Sequence, residues 1–387
     1  MKKFAALIVT ILLVWSCTDN GPSGPSPDDF DREAILVNWA DNIILPSLQY
    51  FSNSTDSLQS AGAAFAENPN QQTLDNFREA WKKSYLAWQH VSVFQMDEDN
   101  QFQFTNSINN YPLCTAELNQ SLPDDAQPDD KCKPEIKSYI EDGKYNLELP
   151  EQFDVQGLPA LDYLLNGLGE TNTEILAFYT SHNQSEAYQS YVLVLVNRIH
   201  SLAEEVKEYW ETGYRDQFVN NSGNGLNASL DMMVNDYIYN YEKHLRAGKI
   251  GIPSGVFSGN PLSNRVEAYY SDGLSKALFM EALDATQNFF NGKHFNSTQT
   301  GQSLDDYLDY LNTMKNGTDL TELINNQFEI ARQEAEGLED DFASQVETNN
   351  SLMLSTYDKL QRNVVNLKVD MFQALNINVD YVDADGD

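Results

Sequence analysis

Apolar residues recur at three- and four-residue steps along most of this chain. In "TLDNFREAWKKSYLAWQHVSVF" the positions Leu74, Phe77, Trp81, Tyr85, Trp88 and Val91 fall on one helical stripe. "SEAYQSYVLVLVNRIHSLAEEVKEYW" repeats the spacing through Tyr188, Tyr191, Leu195, Ile199, Leu202, Val206 and Tyr209. "SLDMMVNDYIYNYEKHLRAGKIG" does so again and ends on Gly248 and Gly251, residues suited to a helix C-terminus. Four later helices are predicted near 264–291, 303–314, 318–345 and 351–374, with Ser303 and Asp306 forming a capping-box-like start to the second. No sustained alternation of apolar and polar residues argues for a sheet, so the predicted class is all-α.

The pattern weakens between about 97 and 156, where "DEDNQFQFTNSINNYP" and "EDGKYNLELPEQFDV" carry no clear period. A connection of that length in a compact domain marks a functional loop or an insertion. The helix count allows two bundles of the up-down four-helix type, an N-terminal one over 30–180 with the insertion 97–156, and a C-terminal one over 181–375. Their junction is expected at 170–185, where "GLGETNTE" and "SHNQSE" break the period.

The first 17 residues have a basic start, a short apolar run and Cys17, which together predict a secretory signal. Ser16 before Cys17 matches the lipobox of bacterial lipoproteins, making Cys17 the lipidated first residue of the mature chain; an ordinary cleaved signal with an incidental cysteine is the alternative. A tether over 18–29, rich in Pro, Gly, Ser and Asp, follows. The predicted location is the outer membrane of a Gram-negative cell, facing either the periplasm or the surface, with the lipid anchor holding the protein to the membrane. In that oxidising compartment Cys114 and Cys132 are expected to form one structural disulfide.

Charge narrows the partners. The formal net charge is −34, from 58 acids against 24 bases, and becomes −36 once Lys2 and Lys3 leave with the signal. Such a field argues against nucleic acid, while a solvated acidic surface explains most of it. The roughly 360 residues after the tether are enough for a large core.

Candidate chemistry is sparse. Five histidines occur, His90, His182, His200, His244 and His294, none in an H-E-x-x-H motif. His200 and Glu204 stand one turn apart, the spacing of an exposed helical pair. No G-x-S-x-G, P-loop or dinucleotide glycine motif is present. The tail over 376–387 brings Asp380, Asp383, Asp385 and Asp387 together but lacks the distal Glu of a calcium loop, so it is expected to be a flexible acidic tail.

One segment stands apart. In "QGLPALDYLLNG" Gly157 permits a sharp turn, Pro159 suits the first residue of a helix, and Leu158, Leu161, Leu164 and Leu165 form an apolar stripe. Asp162 shares a face with Pro159 three residues earlier. A carboxylate on a buried helix needs a partner or a cation. Lys249 or an arginine paired with Asp162 would make it structural; otherwise it serves a ligand.

"AWKKSYLAWQHVSVFQM", "YNLELPEQFDVQGLPALDYLLNG", "KIGIPSG", "EAYYSDGLSKAL" and an acidic "D-x-D-G-D" tail, in that order, resemble the imelysin-like proteins from about residue 30 to the end. That resemblance implies two helical bundles, a site at their junction around a G-x-H-x-x-E motif, and a metallopeptidase-like or iron-regulated envelope protein. Gly157 matches the motif's glycine, but Pro159 stands in place of the His and Asp162 in place of the Glu. An imidazole and a carboxylate on adjacent turns would suit a metal, whereas proline offers no ligand. The resemblance also places Trp88, Lys249, Glu267 and Ser271 near Asp162. The expected function is a non-catalytic binding protein for a small ligand, metal or haem, linked to iron uptake beside an outer-membrane receptor. Asp162 would be the metal ligand, with iron foremost and zinc or calcium behind it. A metallopeptidase and a structural or interaction lipoprotein of an outer-membrane assembly are the alternatives.

Overall fold

The computed structural model describes residues 29–94, 102–122 and 131–379. The signal with Cys17, nearly all of the tether, parts of the insertion and the tail carboxylates Asp380, Asp383, Asp385 and Asp387 lie outside them. From Asp31 on, the chain forms one compact unit. No helix among the described residues is long and apolar enough to cross a membrane.

The fold is all-α, and its first group of helices follows the predicted stripes. Helix α1 (Leu45–Glu67) buries Leu48, Phe51, Leu58 and Phe65 along one side. Helix α2 (Gln71–Val91) starts at a capping box in which Asn70 accepts from the Gln72 and Thr73 amides while Thr73 accepts from the Asn70 amide. It buries Leu74, Phe77, Trp81, Tyr85, Trp88 and Val91. Helix α3 (Gly157–Asp162), extended by a wide π-type turn over Tyr163–Gly167, and helix α4 (Ser185–Tyr209) complete the group. Helix α1 lies between α2 and α4. At Gly62 an added Cβ would stand 2.8 Å from a Val196 methyl and 3.2 Å from the Phe77 ring, so the missing side chain is what lets the three helices approach.

The second group is built from helix α5 (Ser229–Tyr239) with its π-type continuation Asn240–Gly251, helix α6 (Ser275–Phe290), helix α7 (Leu320–Glu336) and helix α8 (Phe342–Val364). Helices α7 and α8 pack together, and α8 also packs on Asn240–Gly251. Contact between α2 and α6 joins the groups. The stretch 170–185, where the bundle junction was expected, carries the short helix Asn172–Thr180, and α4 beyond it returns to α1.

Three local features depart from the sequence expectation. The helix predicted from 264 begins only at Ser275; residues 266–274 are irregular, with Ala268 at φ +57° and Gly273 at φ +78°. The break expected after 345 lies instead at 337–341, and Asn349 only kinks α8, with φ −153° and ψ 71°. A two-strand hairpin, β1 (Met314–Lys315) and β2 (Thr318–Asp319), turns at Asn316-Gly317, both at positive φ as such a turn needs.

Candidate functional site

Gly157 has φ +75°, and a Cβ there would run into the Ile108 carbonyl. The sharp entry into α3 therefore depends on glycine. Helix α3 starts at Gly157 rather than at Pro159, yet Pro159 stays within the first turn, where its missing N–H is an orphan in any case. The Trp81 indole N–H donates to the Leu158 carbonyl at 3.0 Å, which ties this turn to α2.

Asp162, at the end of α3, is 2% exposed. One carboxylate oxygen accepts from the Tyr270 amide at 2.9 Å, and the other from the Asn166 side chain at 3.0 Å. Ser271 adds a further hydrogen bond. Among the described residues no cation pairs with it. Burial pushes its pKa up to about 7, and the bonds from Tyr270, Asn166 and Ser271 only partly oppose that rise. The group is thus poised between acid and anion near neutral pH.

Above this carboxyl lies a pocket of ≈ 300 Å³, lined among others by Tyr111, Glu117, Pro159, Asp162, Tyr269 and Tyr270. Pro159 and Asp162 meet it together, as their three-residue spacing predicts. One wall comes from the insertion, where a disulfide joins Cys114 to Cys132 and Ser121 accepts from the Asn264 amide at 2.6 Å. Asn166 and Ser271 reach Asp162 from the other side and line a second, open pocket with Arg78 and Lys82.

Lys249 does not reach Asp162. It forms a buried ion pair with Glu267, the two being 5% and 2% exposed. The other Glu267 oxygen accepts from Asn109 at 2.7 Å and from Gln89 at 3.4 Å. The Tyr85 hydroxyl donates to the Asn109 carbonyl oxygen at 2.7 Å. Burial lowers the Lys249 pKa and Glu267 opposes that change. Trp88 belongs to this second cluster: it packs on Phe51 at 5.5 Å and Phe104 at 5.3 Å, and borders a ≈ 20 Å³ cavity beside Lys249 and His244. The sequence-nominated residues therefore divide. Asp162, Pro159 and Ser271 surround one carboxyl, Gly157 shapes its helix, and Trp88, Lys249 and Glu267 form a separate, self-neutralised network.

Tyr111 borders both the pocket and the small cavity, and burial followed by Glu267 raises its phenol pKa. It escaped sequence reasoning, as did Tyr269, Tyr270, Asn166 and Asn109. The tyrosine pair in "EAYYSDG" was the one visible signal.

A tetrahedral zinc site needs several nitrogen, sulfur or carboxylate donors within reach of one another. Among the described residues the one such group of three, Cys114, Cys132 and Asp154, contains the disulfide. His244 is enclosed beside Lys249, and burial lowers its pKa to about 4. His90 faces Glu281 at 2.6 Å in a different pocket. The donor set around Asp162 does not fit a zinc peptidase.

A family model described as Peptidase_M75, imelysin, matches residues 44–367. An iron-regulated protein A precursor, so described, from Parabacteroides distasonis ATCC 8503 has a similar structure, with a TM-score of 0.68 at 14% identity over 90% of this chain and 96% of that one. An imelysin-like protein from Psychrobacter arcticum 273-4 gives a TM-score of 0.65 at 14% identity over 91% and 99% of the two chains. At that identity the likeness speaks for the fold. No curated protein matches the sequence. With five-sixths of its length matched by that model, the chain belongs to the imelysin family.

Proposed function

We propose that this imelysin is a non-catalytic binding protein of the cell envelope, anchored through Cys17, and that its Asp162 pocket captures an iron-bearing ligand for uptake through an outer-membrane receptor. The observation that carries this reading is a buried carboxyl with no cationic partner among the described residues, on the wall of a tyrosine-rimmed pocket. Carboxylate and phenolate oxygens are hard donors that suit ferric iron better than zinc. Asp162 would supply the carboxylate, and Tyr111, Tyr269 and Tyr270 the phenols at the rim. Proline at 159 removes the imidazole that the family motif offers, which argues against peptide hydrolysis and for binding.

Size selects among iron ligands. At ≈ 300 Å³ the pocket stands at the lower end of small-molecule sites, so an iron ion with a small chelator fits better than a whole haem. The description of the Parabacteroides protein as iron-regulated lends support.

Calorimetry on the protein from residue 30 onward, with ferric nitrilotriacetate, haemin and zinc chloride as probes, tests the reading. Saturable binding of the ferric chelate, weakened at least tenfold in Asp162→Ala, is expected. No binding of either iron probe sinks the iron assignment. Chelator-sensitive cleavage of a peptide library would instead establish a peptidase.

A further inference from the structure

A second concavity, of ≈ 430 Å³, lies away from Asp162 between the end of α2, one face of α6 and the loop 293–298. Glu281, Asp284 and Asn288 line it from α6 at three- and four-residue spacing. Its loop is held by its own backbone and by two asparagines of the helical segment Arg32–Ile44 that precedes α1, Asn38 through its side chain and Asn42 through its carbonyl. Asn38 donates to the Gly292 and Gln302 carbonyls, each at 3.0 Å, and the Phe295 amide donates to the Asn42 carbonyl at 2.8 Å. The His294 and Gly301 amides close the loop on the Gln299 and Gly292 carbonyls, each at 2.9 Å.

Of the side chains that face the cavity, Ser297 takes part in this anchoring, its hydroxyl accepting from the Gln299 amide at 3.1 Å. Both acids already have partners in the protein: Asp284 pairs with Arg332, and Glu281 shares a hydrogen bond with His90 at 2.6 Å, an ion pair when that imidazole is protonated. Lys293, His294, Asn288 and Asn296 have no side-chain hydrogen bond or ion pair among the described residues. In a chain with 58 acids and 24 bases, a lysine left unmatched inside a rigid cavity is an available anion partner. The Phe295 ring supplies an apolar side. It stands 5.1 Å from the His90 ring and 5.3 Å from Tyr50, which is 45% exposed at the surface.

We propose that this cavity binds a monosaccharide-sized hydroxy-carboxylate, a sugar acid. Lys293 takes the carboxylate, the Asn288 and Asn296 amides take hydroxyls, and the ligand's C–H face rests on Phe295. The cavity has the volume for one such ring. Preorganised donors beside an aromatic face are the usual composition of a small-ligand site, and a loop already fixed in place spares the ordering cost of binding.

Calorimetry and saturation-transfer NMR with D-glucuronate test the proposal, with D-glucose and acetate as controls. Glucuronate is expected to bind saturably, with glucose and acetate each at least tenfold weaker. Lys293→Met should weaken glucuronate at least tenfold and leave glucose unchanged, because that side chain holds no other group in place. Asp162→Ala should leave glucuronate binding intact, which separates this site from the iron pocket. The proposal is overturned if glucuronate fails to bind, if glucose binds as well, or if Lys293→Met or Asp162→Ala gives the opposite result.

Discussion

Replacing Asp162 by asparagine should remove a pH-dependent cost from the folded protein. Burial raises this carboxyl from its ordinary 3.8 to about 7. In the unfolded chain it ionises near 3.8, so between these values the folded state holds more protons than the unfolded one, and stability falls as pH rises. Below pH 3.8 both states are protonated and the cost vanishes; above pH 7 it is complete, at about 4 kcal/mol. The same linkage gives about 2 kcal/mol at pH 5 and about 4 kcal/mol at pH 8. Asparagine keeps an acceptor for the Tyr270 amide and never ionises. Its own amide loses the other acceptor, a roughly constant penalty of about 1–3 kcal/mol. The stability of Asp162→Asn relative to the parent should therefore improve by about 2–3 kcal/mol from pH 5 to pH 8. Guanidinium denaturation of both metal-free proteins at several pH values measures this, and the subtraction cancels the other carboxylates. A difference that stays flat across that range would refute the buried, unpaired state assigned to Asp162.

Lys249→Met should cost about 3–5 kcal/mol in the same assay, because it strands the Glu267 carboxylate in the interior. Adding Glu267→Gln should return much of that loss. Gly157→Ala should cost about 2 kcal/mol or more, since residue 157 sits at φ +75° against the Ile108 carbonyl; a variant with the parental melting temperature would contradict this. Cys114→Ser with Cys132→Ser opens a loop of sequence separation 18 and should cost about 3 kcal/mol. Because that loop walls the Asp162 pocket, the double variant should also bind the ferric chelate more weakly.

The fold was legible because most helices bury a single stripe, and the three- and four-residue spacing of Leu74 to Val91 is that stripe written out. Boundaries were less so. The chain from 266 to 274 has enough apolar residues to pass for helix, yet its backbone departs from helical form, and the Tyr270 amide is turned to Asp162. The break at 337–341 was missed although "GLEDD" offers both Gly337 and the capping Asp341, and Asn316-Gly317 announced a hairpin that went unnoticed. Asp162 itself was visible, as the single acid on an apolar stripe. Its partners were not. A backbone amide 108 positions away leaves no trace in side-chain chemistry, and Lys249 has acidic neighbours other than Glu267 in the sequence.

The two polar clusters answer differently to the same physical demand. Lys249 and Glu267 were both taken out of water and neutralise each other, so their burial needs nothing further. Asp162 was taken out of water with amides and a hydroxyl for company, which leaves its charge uncompensated. If hydrogen bonding were its whole purpose, an asparagine would accept from the Tyr270 amide equally and escape the cost of ionisation. Beyond the second acceptor that Asn166 uses, a carboxyl differs from that amide in the charge it can present to the pocket. A cation arriving there would lower its pKa, so uptake of a cationic ligand should release a proton and tighten as pH rises toward 7. A purely architectural Asp162 would show neither effect, which makes the proton count of binding the measurement that separates the two roles.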